Sequence, residues 1–308
     1  MKYVFGPVPS RRLGNSLGID PIPSKICNYG CVYCQLGSTI KKTNKRENFF
    51  PPDEILDEIK NALKRYSKRI DFITILASGE PLLYSNIGYI IKEIKKLTNI
   101  PTCLITNGAL LADERVQDEI LDFDVVMPTL DAGNEKIFLK INRPYHEIKF
   151  EKMIQGFISF RKKYSGQIWM EVMLIKGVND TLDELNQIRE KLFLIKPDRV
   201  YINIPIRPPT ESWVQIPSKD AIKKANKLLG AYKDISNPES GDFNLFTKNF
   251  EDELLAIISR HPLNLEQIME TFSNLSEEEI IKNLNELENM GKIKKILYQG
   301  KIFWQFNP

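Results

Sequence analysis

The sequence predicts an α/β fold: about six β-α units forming a partial, TIM-like barrel or an open sheet, followed by a small winged-helix-like unit. Three observations carry this. Short apolar runs of buried-strand length recur at 72–79, 101–108, 124–132, 168–177 and 199–206, after a first strand at 16–20. Amphipathic segments lie between them, which implies parallel strands joined by right-handed crossovers. Beyond residue 247 the alternation stops, and three helical segments and a hairpin follow.

Each element has a local reason. The segment 51–67 opens on prolines, carries acids in its first turn and bases in its last, and places Ile55, Leu56, Ile59 and Leu63 on one face. The segments 86–97, 180–195 and 218–232 repeat that pattern. Residues 233–247 are polar, with Pro, Gly and Asn, and read as a linker. The expected organisation is a barrel over 1–232, the linker, and the small unit over 248–308. In that unit "NFEDELLAIISRH", "NLEQIMETF" and "LSEEEIIKNLNELENMG" read as helices, and Gln299-Gly300 as the turn of a hairpin.

Composition bounds the function. The chain has 308 residues, 42% hydrophobic, with a net charge of +3, so charge alone favours no partner. No run of eighteen apolar residues occurs, and the start lacks the apolar stretch of a signal peptide. The expectation is a cytoplasmic protein that does not enter membranes and whose thiols stay reduced.

Three of the four cysteines, Cys27, Cys31 and Cys34, are spaced C-x3-C-x2-C directly after the first strand. That is the carboxyl end of the sheet, where α/β folds place ligands. Three thiolates bind three irons of a four-iron cube and leave the fourth iron open. The other reading is a zinc site completed by Cys103, His146 or His261. Cys103 falls inside a strand and suits a small buried hydrophobe.

The triad, with aromatic Tyr33 before its last cysteine, resembles the signature of radical S-adenosylmethionine enzymes. "SGEP", at Ser78, Gly79, Glu80 and Pro81, ends the next strand, where that family carries a G-G-E-P-type motif. The resemblance implies a partial (β/α)6 barrel of the radical SAM type and a [4Fe-4S] cluster on Cys27, Cys31 and Cys34. S-adenosylmethionine would chelate the open iron. An electron from the cluster would cleave its sulfonium, giving a 5′-deoxyadenosyl radical that abstracts hydrogen from a substrate. Tyr33 would lie near the adenine, and Ser78, Gly79 and Glu80 would receive the cofactor's ammonium. Asn107, Asp131 and Glu171, at later strand ends, would contact cofactor or substrate, and Lys176 the substrate.

The stretches "FGPVPSRRLGNSLGID", "TLDAGNEKIFLKINRP" and "IRPPTESWVQIPS" resemble an archaeal and bacterial branch related to the radical enzymes of tRNA wyosine synthesis. The second cysteine cluster of the archaeal wyosine enzymes has no counterpart among four cysteines. The resemblance tilts the substrate towards RNA, with a peptide, protein or small molecule as alternatives. A non-catalytic iron–sulfur or zinc adaptor is the alternative outside enzymes.

Arg11, Arg12, Arg143 and Arg207 flank strands and are expected near the barrel mouth, where they would grip phosphates or carboxylates. The basic run "KKTNKR" at 41–46 suits a nucleic-acid backbone, an acidic electron donor such as flavodoxin or ferredoxin, or a solvated loop. From Lys248 to Pro308 there are seven Lys and Arg against ten Asp and Glu, and the third helix is fronted by Glu277, Glu278 and Glu279 behind a Ser276 cap. Sequence-specific DNA binding is therefore not expected of this unit; a lid or protein contact is.

Overall fold

The computed structural model describes residues 2–233, 235 and 249–307. The expected linker at 233–247 falls almost wholly outside the described residues. The principal sheet has seven strands: β1 (Val4–Ser10), β2 (Gly14–Ile19), β5 (Phe72–Ile75), β6 (Thr102–Thr106), β7 (Val125–Pro128), β8 (Gln167–Met173) and β9 (Arg199–Asn203). They are neighbours in that order. From β2 to β9 every pairing is parallel, while β1 pairs β2 antiparallel as a hairpin. The two-residue strands β3 (Ile26–Cys27) and β4 (Lys41–Lys42) form a separate parallel pair.

Helices α1 (Pro52–Tyr66), α2 (Ile87–Leu97), α3 (Glu114–Glu119), α4 (Glu135–Asn142), α5 (Phe150–Lys163) and α6 (Leu182–Ile195) occupy the crossovers, and α7 (Lys219–Leu229) follows β9. The result is a partial (β/α)6 barrel, with β1 and β9 as its unjoined edges. The antiparallel β1 and helices α3, α4 and α5 add to the elements read from the sequence. Burial explains the layering. Alternate strand residues such as Leu104, Val126 and Met170 pack with Ile59, Ile91 and Phe157 of the helices. The opposite faces, with Cys103, Met127, Trp169 and Tyr201, close on Leu13 of the hairpin inside the barrel. Cys103 is fully buried there.

After the barrel come α8 (Phe250–Ile258), β10 (Leu263–Asn264), α9 (Leu265–Thr271), α10 (Glu277–Asn289), β11 (Ile293–Tyr298) and β12 (Lys301–Phe306). The three strands form their own sheet, β10-β12-β11, and a second apolar cluster gathers Leu254, Ile258, Ile268, Leu284 and Trp304. Ser276 and Glu279 cap α10 reciprocally, and Gln299 and Gly300 turn the hairpin with positive φ. Among the described residues no helix is long and apolar enough to cross a membrane.

Candidate active site at the barrel mouth

The cysteines sit on a loop that three separate elements fasten. Val32 N donates to Ile141 O at 2.9 Å and Gly30 N to Asn142 O at 3.0 Å, at the end of α4. From the segment after β9, Thr210 Oγ1 donates to Cys34 O at 2.9 Å and Glu211 N to Val32 O at 3.0 Å. From β12, Gln305 Nε2 donates to Gln35 O at 2.9 Å. The loop is held by its backbone, which leaves the thiols to face a cavity.

That cavity has a volume of about 320 Å³ and opens at the carboxyl ends of the strands. Cys27, Cys31, Cys34 and Tyr33 line one side, with Gly79, Glu80 and Asn107 from the ends of β5 and β6. Arg11, Arg12 and Arg207 line it too. So do Arg260, which sequence reasoning did not place here, and His261, which it offered only as a zinc ligand. Ser78, Asp131, Glu171, Arg143 and Lys176 are not among its lining residues.

Their positions have local causes. The Ser78 hydroxyl and amide both donate to Asp20, at 2.6 and 3.2 Å, so the serine braces the turn from behind. Gly79 is required by packing: a Cβ there would lie 1.7 Å from the carbonyl oxygen of Ile26, the neighbour of Cys27. Glu80 N donates to that same oxygen at 3.1 Å. The Glu80 carboxylate is buried and accepts from Leu82 N at 3.0 Å, Asn107 N at 2.8 Å and the Thr106 hydroxyl. Burial nevertheless pushes its pKa up to about 7.

Asp131 lies behind the cysteine loop. It accepts from the Tyr33 hydroxyl at 2.6 Å, Asn142 Nδ2 at 2.7 Å and Met173 N at 2.8 Å, and burial pushes its pKa up to about 6. Glu171 stands 2.9 Å from Arg12 inside the barrel. Arg143 ends α4 with φ 45°, which turns its side chain outward to Glu211 at 2.5 Å. Lys176 is exposed and reaches Gln215 at 3.3 Å. The basic run is largely tied down: Arg46 forks onto Glu119, Lys41 and Lys45 approach Glu47, and Lys42 donates to Arg143 O.

The donor set can be tested against a cluster. All four cysteines are free. Among the described residues no three Cys, His, Asp or Glu side chains gather closely enough for a single metal ion. A four-iron cube spreads its thiolates more widely, because each binds a different iron. Three thiols around one cavity fit that arrangement. Two side-chain amides also point at sulfur: Asn142 Nδ2 at Cys31, 3.6 Å, and Asn107 Nδ2 at Cys27, 3.8 Å. Such amide contacts favour thiolates over thiols. Without a metal, burial pushes the Cys27 pKa up to about 12 and raises that of Cys31, so ligation would release protons.

The C-terminal unit covers the cavity's remaining side. Gln35, next to Cys34, donates to Arg260 O at 2.8 Å and meets His261 Nδ1 at 3.2 Å. Arg207 Nε donates to Pro262 O at 3.1 Å and the Tyr298 hydroxyl to Pro205 O at 2.6 Å. Arg260 Nε reaches Asp20 at 3.0 Å, the carboxylate that holds Ser78. One unit thus grips both the cysteine loop and the turn that follows β5.

Comparison with known proteins agrees with this architecture. Residues 22–192 match the family model described as the radical SAM superfamily. The chain is 39% identical to the UPF0026 protein MJ1312 of Methanocaldococcus jannaschii, over 100% of this chain and 97% of that one. It is 38% identical, over 99% of its length, to a longer Brachyspira hyodysenteriae protein named GTPase Obg, of which it spans 45%. A probable dual-specificity RNA methyltransferase RlmN of Thermotoga neapolitana is 27% identical over 66% of this chain and 58% of its own length. In fold, Streptococcus suis SuiB, solved bound to S-adenosylmethionine and also to its precursor peptide SuiA, superposes with TM-scores of 0.53 and 0.52. The SAM-bound match has 15% identity and covers 69% of this chain and 46% of that one. The chain belongs to the radical SAM superfamily, enzymes whose members bind a [4Fe-4S] cluster and S-adenosylmethionine.

Proposed function

We propose that Cys27, Cys31 and Cys34 hold the cluster and that S-adenosylmethionine binds in the adjoining cavity, against Gly79, Glu80 and Asn107. The observation that carries this is the lining of one cavity by all three thiols and by the ends of β5 and β6. When bound, the reduced cluster and the cofactor supply a 5′-deoxyadenosyl radical. This chain's own residues do the rest. The fastened loop fixes the thiols, Tyr33 and Asn107 shape the cofactor's surroundings, and Glu80 offers negative charge where an ammonium is expected. Arg260 and His261 restrict entry, which shields a reactive site from water.

The substrate class that best fits is RNA. The likeness to an RNA methyltransferase supports it, as do four arginines in the cavity wall. A peptide substrate, as SuiB has in its precursor peptide SuiA, is the second reading. The reductant is a flavodoxin- or ferredoxin-like carrier, approaching the outer side of the cysteine loop near Lys41, Lys42 and Lys45. The C-terminal unit is a winged-helix-like cover of the cavity rather than a reader of duplex DNA. Its Lys292, Lys295 and Lys301 are paired with Glu251, Glu288 and Glu266.

Anaerobic reconstitution followed by assay for 5′-deoxyadenosine tests the chemistry. Product formation with dithionite and S-adenosylmethionine is expected; a loaded, reducible cluster that yields none would overturn the proposal. Mass spectrometry of RNA nucleosides from a deletion strain tests the substrate class.

A further inference from the structure

Beside the main cavity lies a smaller one of about 80 Å³, between the β1–β2 hairpin and the inward faces of β5 and β6. Arg12, Arg207 and His261 line both, so they form the partition between them. The smaller cavity also presents Ser10, Ser16 and Thr74; the last two share a hydrogen bond at 2.6 Å. No Asp or Glu is among its lining residues. The one carboxylate lining the main cavity, Glu80, accepts from Leu82, Thr106 and Asn107 at the proposed cofactor position and does not line the smaller cavity.

Arg12 is the informative residue. Its Nη1 lies 2.9 Å from Glu171 Oε1, but neither Nη1 nor Nε has hydrogen-bond geometry to any partner, although both atoms are buried. A buried donor left unmade is costly, and native proteins rarely keep one without a ligand or a water for it. Arg207 is differently placed: it is held towards the partition by Pro262 O and Gln35 Oε1. Guanidinium, imidazole and hydroxyl groups lining a space whose one neighbouring acid is Glu171 against Arg12 complement an oxyanion.

We propose that this inner end of the cavity is an oxyanion subsite for a phosphate or carboxylate group of the substrate. Arg12 is its main contact, and Arg207 and His261 are its walls. The cysteines and the proposed cofactor position lie towards the other side, so an anchored anion would hold the rest of the substrate towards the radical. Calling the ligand a substrate rests on the function proposed above; the subsite itself requires no cluster.

The test uses the full chain, titrated separately with inorganic phosphate and with acetate against chloride at constant ionic strength, reading the thermal midpoint. A saturable rise with phosphate or with acetate is expected, and the anion that produces it names the group. Arg12→Gln should abolish the rise. Glu171→Gln removes the carboxylate that competes for Arg12 and should tighten the apparent Kd several-fold. The double variant, which leaves no buried charge unpaired, should fold and behave as Arg12→Gln. The rise should persist in reconstituted protein saturated with S-adenosylmethionine. Absence of any saturable effect, weakening rather than tightening in Glu171→Gln, or loss of the effect on cofactor saturation would overturn the subsite. The last result would assign Arg12 to the cofactor's own carboxylate. Anion binding in a protein that forms no 5′-deoxyadenosine would leave the subsite standing and sink the radical chemistry instead.

Discussion

The Tyr33 hydroxyl and the Asp131 carboxylate are 2.6 Å apart, and the same carboxylate oxygen accepts Asn142 Nδ2 at 2.7 Å. That nitrogen also faces Cys31 Sγ at 3.6 Å. A carboxylate buried behind the loop therefore aims an amide at Cys31, a proposed cluster ligand. Amide contacts drain charge from a thiolate and raise the potential of the cluster it holds. Asn142→Leu keeps the volume and loses the donor. Its cluster should titrate at a more negative potential in EPR-monitored redox titration; an unchanged potential would show that the amide only packs.

Changing Cys31 to Ala should remove the cluster's visible absorbance and 5′-deoxyadenosine formation together. Cys103→Ala should keep both and cost about 1 kcal/mol in urea unfolding, since that thiol only fills the barrel interior. Retained cofactor cleavage in Cys31→Ala would break the assignment.

Glu80 bears on two measurements. A charged hydrogen bond to the cofactor's ammonium is worth about 1.5–3 kcal/mol, so Glu80→Gln should weaken S-adenosylmethionine binding roughly tenfold to a hundredfold at constant iron content. Without cofactor the sign reverses. The folded-state pKa is raised, from 4.5 to about 7, so the protonated form is the one folding favours. Its stabilising contribution is complete below pH 4.5 and is lost as pH rises through about 7, by about 3 kcal/mol. Urea titrations from pH 4.5 to 8 should show this decline in the cofactor-free wild type and a flatter profile in Glu80→Gln.

Arg260→Ala removes the partner of Asp20, a carboxylate that is almost fully buried. It should cost about 1.5–3 kcal/mol, read by urea unfolding, and should also weaken cofactor binding, because Asp20 then holds Ser78 less firmly. Full-length protein should show no salt-dependent retention of duplex DNA at physiological ionic strength, where the Debye length is about 8 Å. Tight retention would contradict the pairing of the hairpin lysines with acids.

Much of the barrel was legible because buried parallel strands are short apolar runs and their crossovers are amphipathic. The cysteine loop was legible because ligand spacing is local. Strand β1 was not: "VFGPVPS" carries two prolines and Gly6, which read as a break, yet it survives as an edge. Arg143 was misleading because its position after β7 said nothing of the αL turn that sends it outward. Arg260 was invisible as a site residue and His261 entered only as a possible zinc ligand, since nothing local in "SRHPLN" signals a partner more than two hundred residues away. Ser78 showed in the motif, but its brace on Asp20 depends on the pairing of β2 with β5.

The contact between Gln35 and Arg260 joins positions 225 residues apart. At about 5–20 residues per second, the ribosome takes roughly ten to forty-five seconds to travel from one to the other. For that interval the three thiols exist without their cover. Delivery of the proposed cluster during synthesis would therefore meet an uncovered loop, whereas a finished chain presents that loop with Arg260 and His261 already beside it. Recombinant protein refilled after purification and protein loaded while it is being made are expected to differ in iron content for this reason alone.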